Sequence, residues 1–114
     1  MSALAPPVQT ALAEAQRRLS DLYGDRLIRA VLYGSQARGE ARPDSDVDVL
    51  VVLRDPVADY AEIRRLAPLA LDLWQRHGVD LHLVPFSAGR YADAAHPLMM
   101  NVHDEGVDLA APEA

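Results

Sequence analysis

A chain of 114 residues, half of them hydrophobic and none of them cysteine, is long enough for one cored domain and offers no disulfide, thiolate metal site or thiol nucleophile. Its 17 acidic side chains outnumber 11 basic ones, a formal charge of −6, so it lacks the bulk positive charge that binds nucleic acid by neutralising phosphates. Every basic residue is an arginine, which removes the P-loop lysine and Schiff-base chemistry, and the longest apolar run, Val49 to Leu53, is far below the ~18 residues of a membrane-spanning helix.

In chain order, Pro6-Pro7 followed by Val8 to Tyr23 predicts a helix with Leu12, Ala15, Leu19 and Leu22 on its apolar face and Gly24 as its stop. No positive charge precedes Arg17, so this segment does not read as a signal peptide, and the expected location is cytoplasmic. Leu27 to Tyr33 predicts a buried strand closed by Gly34, and the polar stretch Ser35 to Ser45 predicts a loop. Val47 to Leu53, rich in β-branched residues, is the clearest strand, broken by Asp55-Pro56. Asp59 to His77 predicts a helix with Tyr60, Ile63, Leu66, Ala70, Leu73 and Trp74 on its inner stripe. Pro68 inside it predicts a kink or two abutting helices, and Gly78 suits the residue after the helix end. Val79 to Val84 alternates as a third strand; short helices after Ser87 and from Pro97, and an extended piece over Gly106 to Leu109, complete the chain. The expected fold class is α/β (α+β), a small mixed sheet flanked by helices, in a single domain over residues 1–114 with its motif core at 27–84.

The chemistry concentrates in Tyr33 to Val52, where Gly34-Ser35 ends one strand and Asp46-x-Asp48 begins the next, ten residues beyond Ser35. Side chains two apart on a strand share a face, so Asp46 and Asp48 point together, roughly 6–7 Å apart, while Val47 and Val49 point into the core. At an effective dielectric of ~20 their repulsion is about 2–3 kcal/mol, which solvent, an arginine or a bound cation must offset. Few hard oxygen ligands, completed by water and substrate phosphates, are what Mg²⁺ prefers. Gly34 permits close backbone approach, amides around Ser35 can cradle a phosphate, and Arg38 can grip one in bidentate fashion or instead pair with a neighbouring acid of the loop. If the third strand neighbours Val47 to Leu53, Asp80 joins Asp46 and Asp48 as a third acid able to bind metal or take a proton. His82 shares the face of Asp80 and then lines the same cleft or is a plain strand histidine.

Gly34-Ser35-x10-Asp46-x-Asp48 resembles the signature of the DNA polymerase β-like nucleotidyltransferase superfamily. The run GSQARGEARPDSDVDVLVV looks like its minimal, single-domain (MNT) members, and His96 to Leu109 is similar to their closing segment. The resemblance implies a nucleotide-phosphate turn at Gly34 and Ser35, a metal-binding pair at Asp46 and Asp48, and a third acidic position at Asp80. It implies Mg²⁺ as cofactor, ATP as substrate and a HEPN-domain toxin from a neighbouring gene as partner, with AMP transferred to a tyrosine hydroxyl of that toxin. No membrane and no direct nucleic-acid partner are expected. One alternative is an antitoxin that masks its toxin by contact alone, through an apolar patch around Leu98, Met99 and Met100. Another is transfer to a small molecule such as an aminoglycoside, against which the missing C-terminal helical domain argues.

Overall fold

A computed structural model describes residues 4–34, 37, 46–93, 99, 102, 103 and 105–109. Helix α1 (Pro6–Tyr23) opens with proline in its first turn, and the Gly24 N–H, at φ 54°, closes on the Ser20 carbonyl. Its buried face is Ala11, Leu12, Ala15, Gln16, Leu19 and Tyr23. The expected stripe differs at one end: Leu22 is exposed and Tyr23 is buried instead. The reason is polar as well as apolar, since the Tyr23 hydroxyl donates to Glu62 at 2.9 Å.

After a short 3-10 turn, β1 (Leu27–Tyr33) runs antiparallel to β2 (Val47–Leu53), pairing Tyr33 with Asp48. Helix α2 (Asp59–His77) crosses over to β3 (Leu81–Ser87), which lies parallel to β2 with Asp48 opposite His82. A one-turn helix, α3 (Ala88–Tyr91), follows, its Arg90 N–H donating to Ser87 Oγ. A two-residue strand, β4 (Val107–Asp108), returns to β1. The sheet order is β3-β2-β1-β4, a mixed sheet with helices, as the element pattern predicts.

The third strand begins and ends later than expected, at Leu81 to Ser87 rather than Val79 to Val84. It runs on through Pro85 because it is an edge strand, where a missing N–H costs no ladder bond on the open side. Asp80, just before the strand, is tied to the sheet by its carbonyl, which accepts from the Val47 N–H at 2.9 Å.

Strand β2 is buried on both faces, so its run of valines and leucines has no polar side to show. Val47, Val49, Val51 and Leu53 face a core shared with α1 and α2. Leu50 and Val52 face a second core made with Val31, Phe86, Met99 and Val102. Met99 is therefore an interior residue with no exposed surface, which removes it from the expected apolar contact patch. Leu98 and Met100, and the expected helix start at Pro97, lie outside the described residues.

Helix α2 is continuous through Pro68 rather than two abutting helices. Its inner stripe is also rotated from the expected one. Glu62, Leu66, Leu69 and Leu73 are buried, whereas Tyr60, Ile63 and Trp74 are exposed. The stripe begins on a carboxylate because Glu62 has partners: Tyr23 donates to one oxygen and Arg26 to the other at 3.0 Å. Apolar spacing alone cannot signal a charged residue that is buried by pairing. Among the described residues no helix is long and apolar enough to cross a membrane.

Candidate functional site

The parallel pairing of β2 with β3 places the starts of both strands side by side, and there the apolar layer gives way to acids. Asp48 is on the same face of β2 as Leu50 and Val52, one step beyond the second core. Asp46 precedes the strand. On the neighbouring chain segment, Asp80 and His82 occupy the matching positions, since Val47 pairs with Leu81 and Asp48 with His82. The adjacency on which Asp80 depended is thus present.

His82 is the hub of this group. Its Nδ1 is 3.6 Å from Asp48 Oδ1, and its Nε2 is 3.4 Å from Asp80 Oδ2 and 3.8 Å from Asp46 Oδ2. Asp46, Asp80 and His82 each offer one ligand atom within 4.8 Å of the others. Asp48 approaches the opposite edge of the imidazole, so the compact donor set is two of the expected acids plus a histidine, with the third acid alongside. The signal for His82 was present in the sequence, because alternation in VDLHLV puts it on the face of Asp80.

The four side chains differ in access to water. Asp46, Asp80 and His82 are about half exposed, whereas Asp48 is only a third exposed. Burial pushes the Asp48 carboxyl above the usual carboxylate range; the His82 imidazole opposes that rise, and the negative charges of Asp46 and Asp80 add to it. Burial, followed by the Asp48 charge, likewise raises the Tyr33 phenol. A carboxylate held in this way gains most from a cation, which removes the repulsion and replaces lost hydration.

Gly34 closes the other side. It ends β1 at φ 78°, and a Cβ built on it would stand 2.7 Å from Asp48 Oδ2. The carboxylate therefore packs directly against the glycine backbone, which only a residue without a side chain allows. Ser35 and Arg38, the expected phosphate-binding partners of Gly34, lie outside the described residues.

The compact set of Asp46, Asp80 and His82 fits a divalent cation: two carboxylate oxygens and one imidazole nitrogen, each about half exposed and so leaving positions for water and phosphate oxygens. The imidazole of His82 broadens the choice, because nitrogen donors also suit softer divalent metals.

Comparison with known proteins bears on the chemistry such a site serves. Residues 12–98 match the family model described as Nucleotidyltransferase domain. Two proteins of Methanocaldococcus jannaschii, each named as a candidate protein adenylyltransferase, are similar in sequence. One is 34% identical over 71 residues, 61% of this chain and 48% of its own length. The other is 39% identical over 44 residues, 39% of this chain and 44% of its own. The chain thus spans about half the length of the curated relatives it matches.

Among solved structures, a toxin–antitoxin crystal structure with AMP-PNP superposes with a TM-score of 0.59 at 24% identity, covering 88% of this chain and 74% of the other. A complex of tri-AMPylated Shewanella oneidensis HEPN toxin with MNT antitoxin gives 0.58 at 23% identity, covering 90% and 71%. A Sulfolobus solfataricus protein described as a candidate nucleotidyltransferase gives 0.55 at 16% identity, covering 98% and 89%. At these identities the likeness is one of fold.

Proposed function

The chain belongs to the nucleotidyltransferase domain family, and from that premise we propose that it transfers AMP from ATP to a tyrosine hydroxyl of a partner HEPN-type toxin, acting in the cytoplasm as that toxin's antitoxin. The observation that carries the reading is the convergence of Asp46, Asp48 and Asp80 at the ends of two parallel-paired segments. It is supported by the naming of two sequence relatives as protein adenylyltransferases and by fold neighbours solved with AMP-PNP and with an AMPylated toxin.

In this reading Gly34, Ser35 and Arg38 receive the triphosphate, and Asp46, Asp48 and Asp80 hold Mg²⁺. When bound, the cation neutralises charge on phosphate oxygens during displacement. The chain's own contribution is orientation and proton handling. Gly34 lets the phosphates come close to the backbone. The tyrosine oxygen attacks the α-phosphorus in line, forming the new O–P bond. The bond from that phosphorus to the bridging oxygen breaks, and pyrophosphate leaves with the bonding electrons. The phenolic proton passes to the Asp80 carboxylate, which is about half exposed.

Mass spectrometry of the co-encoded partner after incubation with ATP and Mg²⁺ tests the transfer. AMP addition is expected with the native chain and absent with Asp46→Asn or Asp48→Asn, while circular dichroism shows both variants folded. Undiminished transfer by both variants refutes the mechanism. A second reading, masking of the toxin by contact alone, draws support from the exposed apolar residues Tyr60 and Ile63 on α2. Co-expression separates the two: an Asp46→Asn/Asp48→Asn double variant still protects under masking and fails to protect if transfer is required.

A further inference from the structure

We propose that His82 decides which metal the acidic site takes: its Nε2 joins Asp46 and Asp80 as a ligand, and that nitrogen makes the site prefer a borderline first-row cation, Mn²⁺, to Mg²⁺; this rests on the metal-dependent transfer proposed above.

The sheet puts the imidazole where a ligand has to be. Leu81 and Leu83 pack into the core shared with α1 and α2, so the two-residue period turns Asp80 and His82 to the other face. Asp46 and Asp48 lie on that same face of the neighbouring segment, in register through the Val47–Leu81 and Asp48–His82 pairs. As a result Nε2 stands 3.4 Å from Asp80 Oδ2 and 3.8 Å from Asp46 Oδ2, and one ligand atom from each of the three residues falls within 4.8 Å of the others.

Those separations discriminate between cations. Ligand atoms about 2.0–2.2 Å from one ion are roughly 3.3–3.6 Å apart in a tetrahedron and roughly 2.8–3.1 Å apart along an octahedral edge. The two distances from Nε2 are at and slightly above the tetrahedral spacing. Mg²⁺ demands the tighter octahedral spacing and oxygen donors, so it is the poorer match on both counts. First-row transition cations accept imidazole nitrogen beside carboxylate oxygen, and Mn²⁺ among them keeps a strong liking for oxygen and phosphate.

The other edge of the ring agrees. Asp48 Oδ1 is 3.6 Å from Nδ1, too far for a hydrogen bond but close enough for its charge to favour the proton on Nδ1. That tautomer leaves the Nε2 lone pair facing Asp46 and Asp80. A carboxylate behind a ligating imidazole fixes the ring and raises its basicity. Asp48 is itself fixed by the Gly34 backbone against which it packs. Asp48 therefore acts as a positioning residue for His82 in addition to the charge it brings to the site. Almost half of the His82 side chain is exposed, which leaves room beside Nε2 for water and a phosphate oxygen.

Mn²⁺ is both the probe and the expected ion. Pulsed electron paramagnetic resonance of the full chain with Mn²⁺ is expected to show the nitrogen modulation of a ligating imidazole. That signal is expected to vanish in His82→Ala and in His82→Gln, which offers an amide oxygen instead, and to persist in the control His103→Ala, whose ring contacts the Tyr91 carbonyl. By calorimetry without nucleotide, the native chain is expected to bind Mn²⁺ more tightly than Mg²⁺. Both His82 variants are expected to lose about tenfold or more in Mn²⁺ affinity while Mg²⁺ affinity changes less than about threefold, which also shows that they are folded. Absence of nitrogen modulation in the native chain, modulation that survives in both His82 variants, or an unchanged ratio of Mn²⁺ to Mg²⁺ affinity overturns the assignment. So does tighter Mn²⁺ binding by His82→Ala, the result if the imidazole merely offsets the acids' charge and competes with the cation. AMP transfer is scored separately: nitrogen ligation without transfer upholds the metal assignment and refutes the transferase reading, whereas transfer without nitrogen ligation overturns the assignment and leaves that reading in place.

Discussion

Gly34→Ala tests the link between backbone conformation and the acidic site. Two costs follow from the structure. The residue sits at φ 78°, where a side chain costs about 1–2 kcal/mol. The new Cβ would also stand 2.7 Å from Asp48 Oδ2, against 3.4 Å or more for an ordinary contact. The obstructing atom is the far end of a side chain, so Asp48 turns aside, at about 0.5–1.5 kcal/mol for leaving its rotamer. The total, about 1.5–3.5 kcal/mol, lowers the Tm by roughly 6–14 °C in a domain of this size. Gly78→Ala is the control, since Gly78 has a comparable φ of 68° but nothing within 4 Å of an added Cβ. It shares the conformational cost and leaves Asp48 in place. Thermal melts and transfer rates of the two variants are then compared. Gly34→Ala is expected to melt lower than Gly78→Ala and to lose roughly 10–100-fold in rate, the scale of an ångström-sized misplacement of a reacting group. Equal melting temperature and equal rate in the two variants refute the claim that Gly34 is required by the Asp48 carboxylate.

Glu62→Ala leaves Tyr23 and Arg26 without their shared acceptor; because Arg26 keeps access to water, the expected loss is about 2–3 kcal/mol by denaturant titration, below the full cost of breaking a buried pair. Burial pushes the Glu62 carboxyl up, but hydrogen bonds from Tyr23 and Arg26 and the Arg26 and Arg65 charges outweigh it and hold it below the usual range. Its stabilisation is therefore complete above the unfolded value of ~4.3 and lost as pH falls through the depressed folded value, so acid melting curves of Glu62→Gln are expected to be flatter than native. Asp48 has the opposite sign: its raised carboxyl costs stability as pH climbs from the unfolded value of ~3.9 through the folded one, so Asp48→Asn without divalent cations is expected to melt higher than native at neutral pH. Mg²⁺ at a hundred times its Kd is expected to stabilise the native chain by about 2.7 kcal/mol, and Asp46→Asn or Asp80→Asn to abolish that gain; an unchanged native melting curve on adding Mg²⁺ refutes the metal assignment.

Local patterning made much of this molecule legible. Strand β1 runs from Leu27 to Tyr33, strand β2 from Val47 to Leu53 and helix α2 from Asp59 to His77, the limits that alternation, β-branched content and the Gly and Pro breaks predict. The pair Asp46 and Asp48 was readable because a strand's two-residue period fixes which neighbours share a face. The local pattern fails where a tertiary partner outranks it. Leu22 fits the apolar face of α1 as well as Tyr23 does, yet the Tyr23 hydroxyl has Glu62 to bond. Glu62 heads a buried stripe from which hydropathy excludes it, and Tyr60, Ile63 and Trp74 are displaced to the surface by the resulting rotation of α2.

The residue types that carry the proposed chemistry, and their order along one face of each strand, were determined by the sequence itself, because backbone periodicity is local. Their assembly was decided by the tertiary structure. Asp80 and His82 reach Asp46 and Asp48 only because α2 returns the chain parallel to β2. Asp48 meets Gly34 only because β1 pairs antiparallel with β2, with Tyr33 opposite Asp48. Met99 is interior only because the second face of the sheet needs covering. Each of these is a contact between segments distant in sequence, chosen by burial and hydrogen-bond pairing over the whole fold, which no local period encodes.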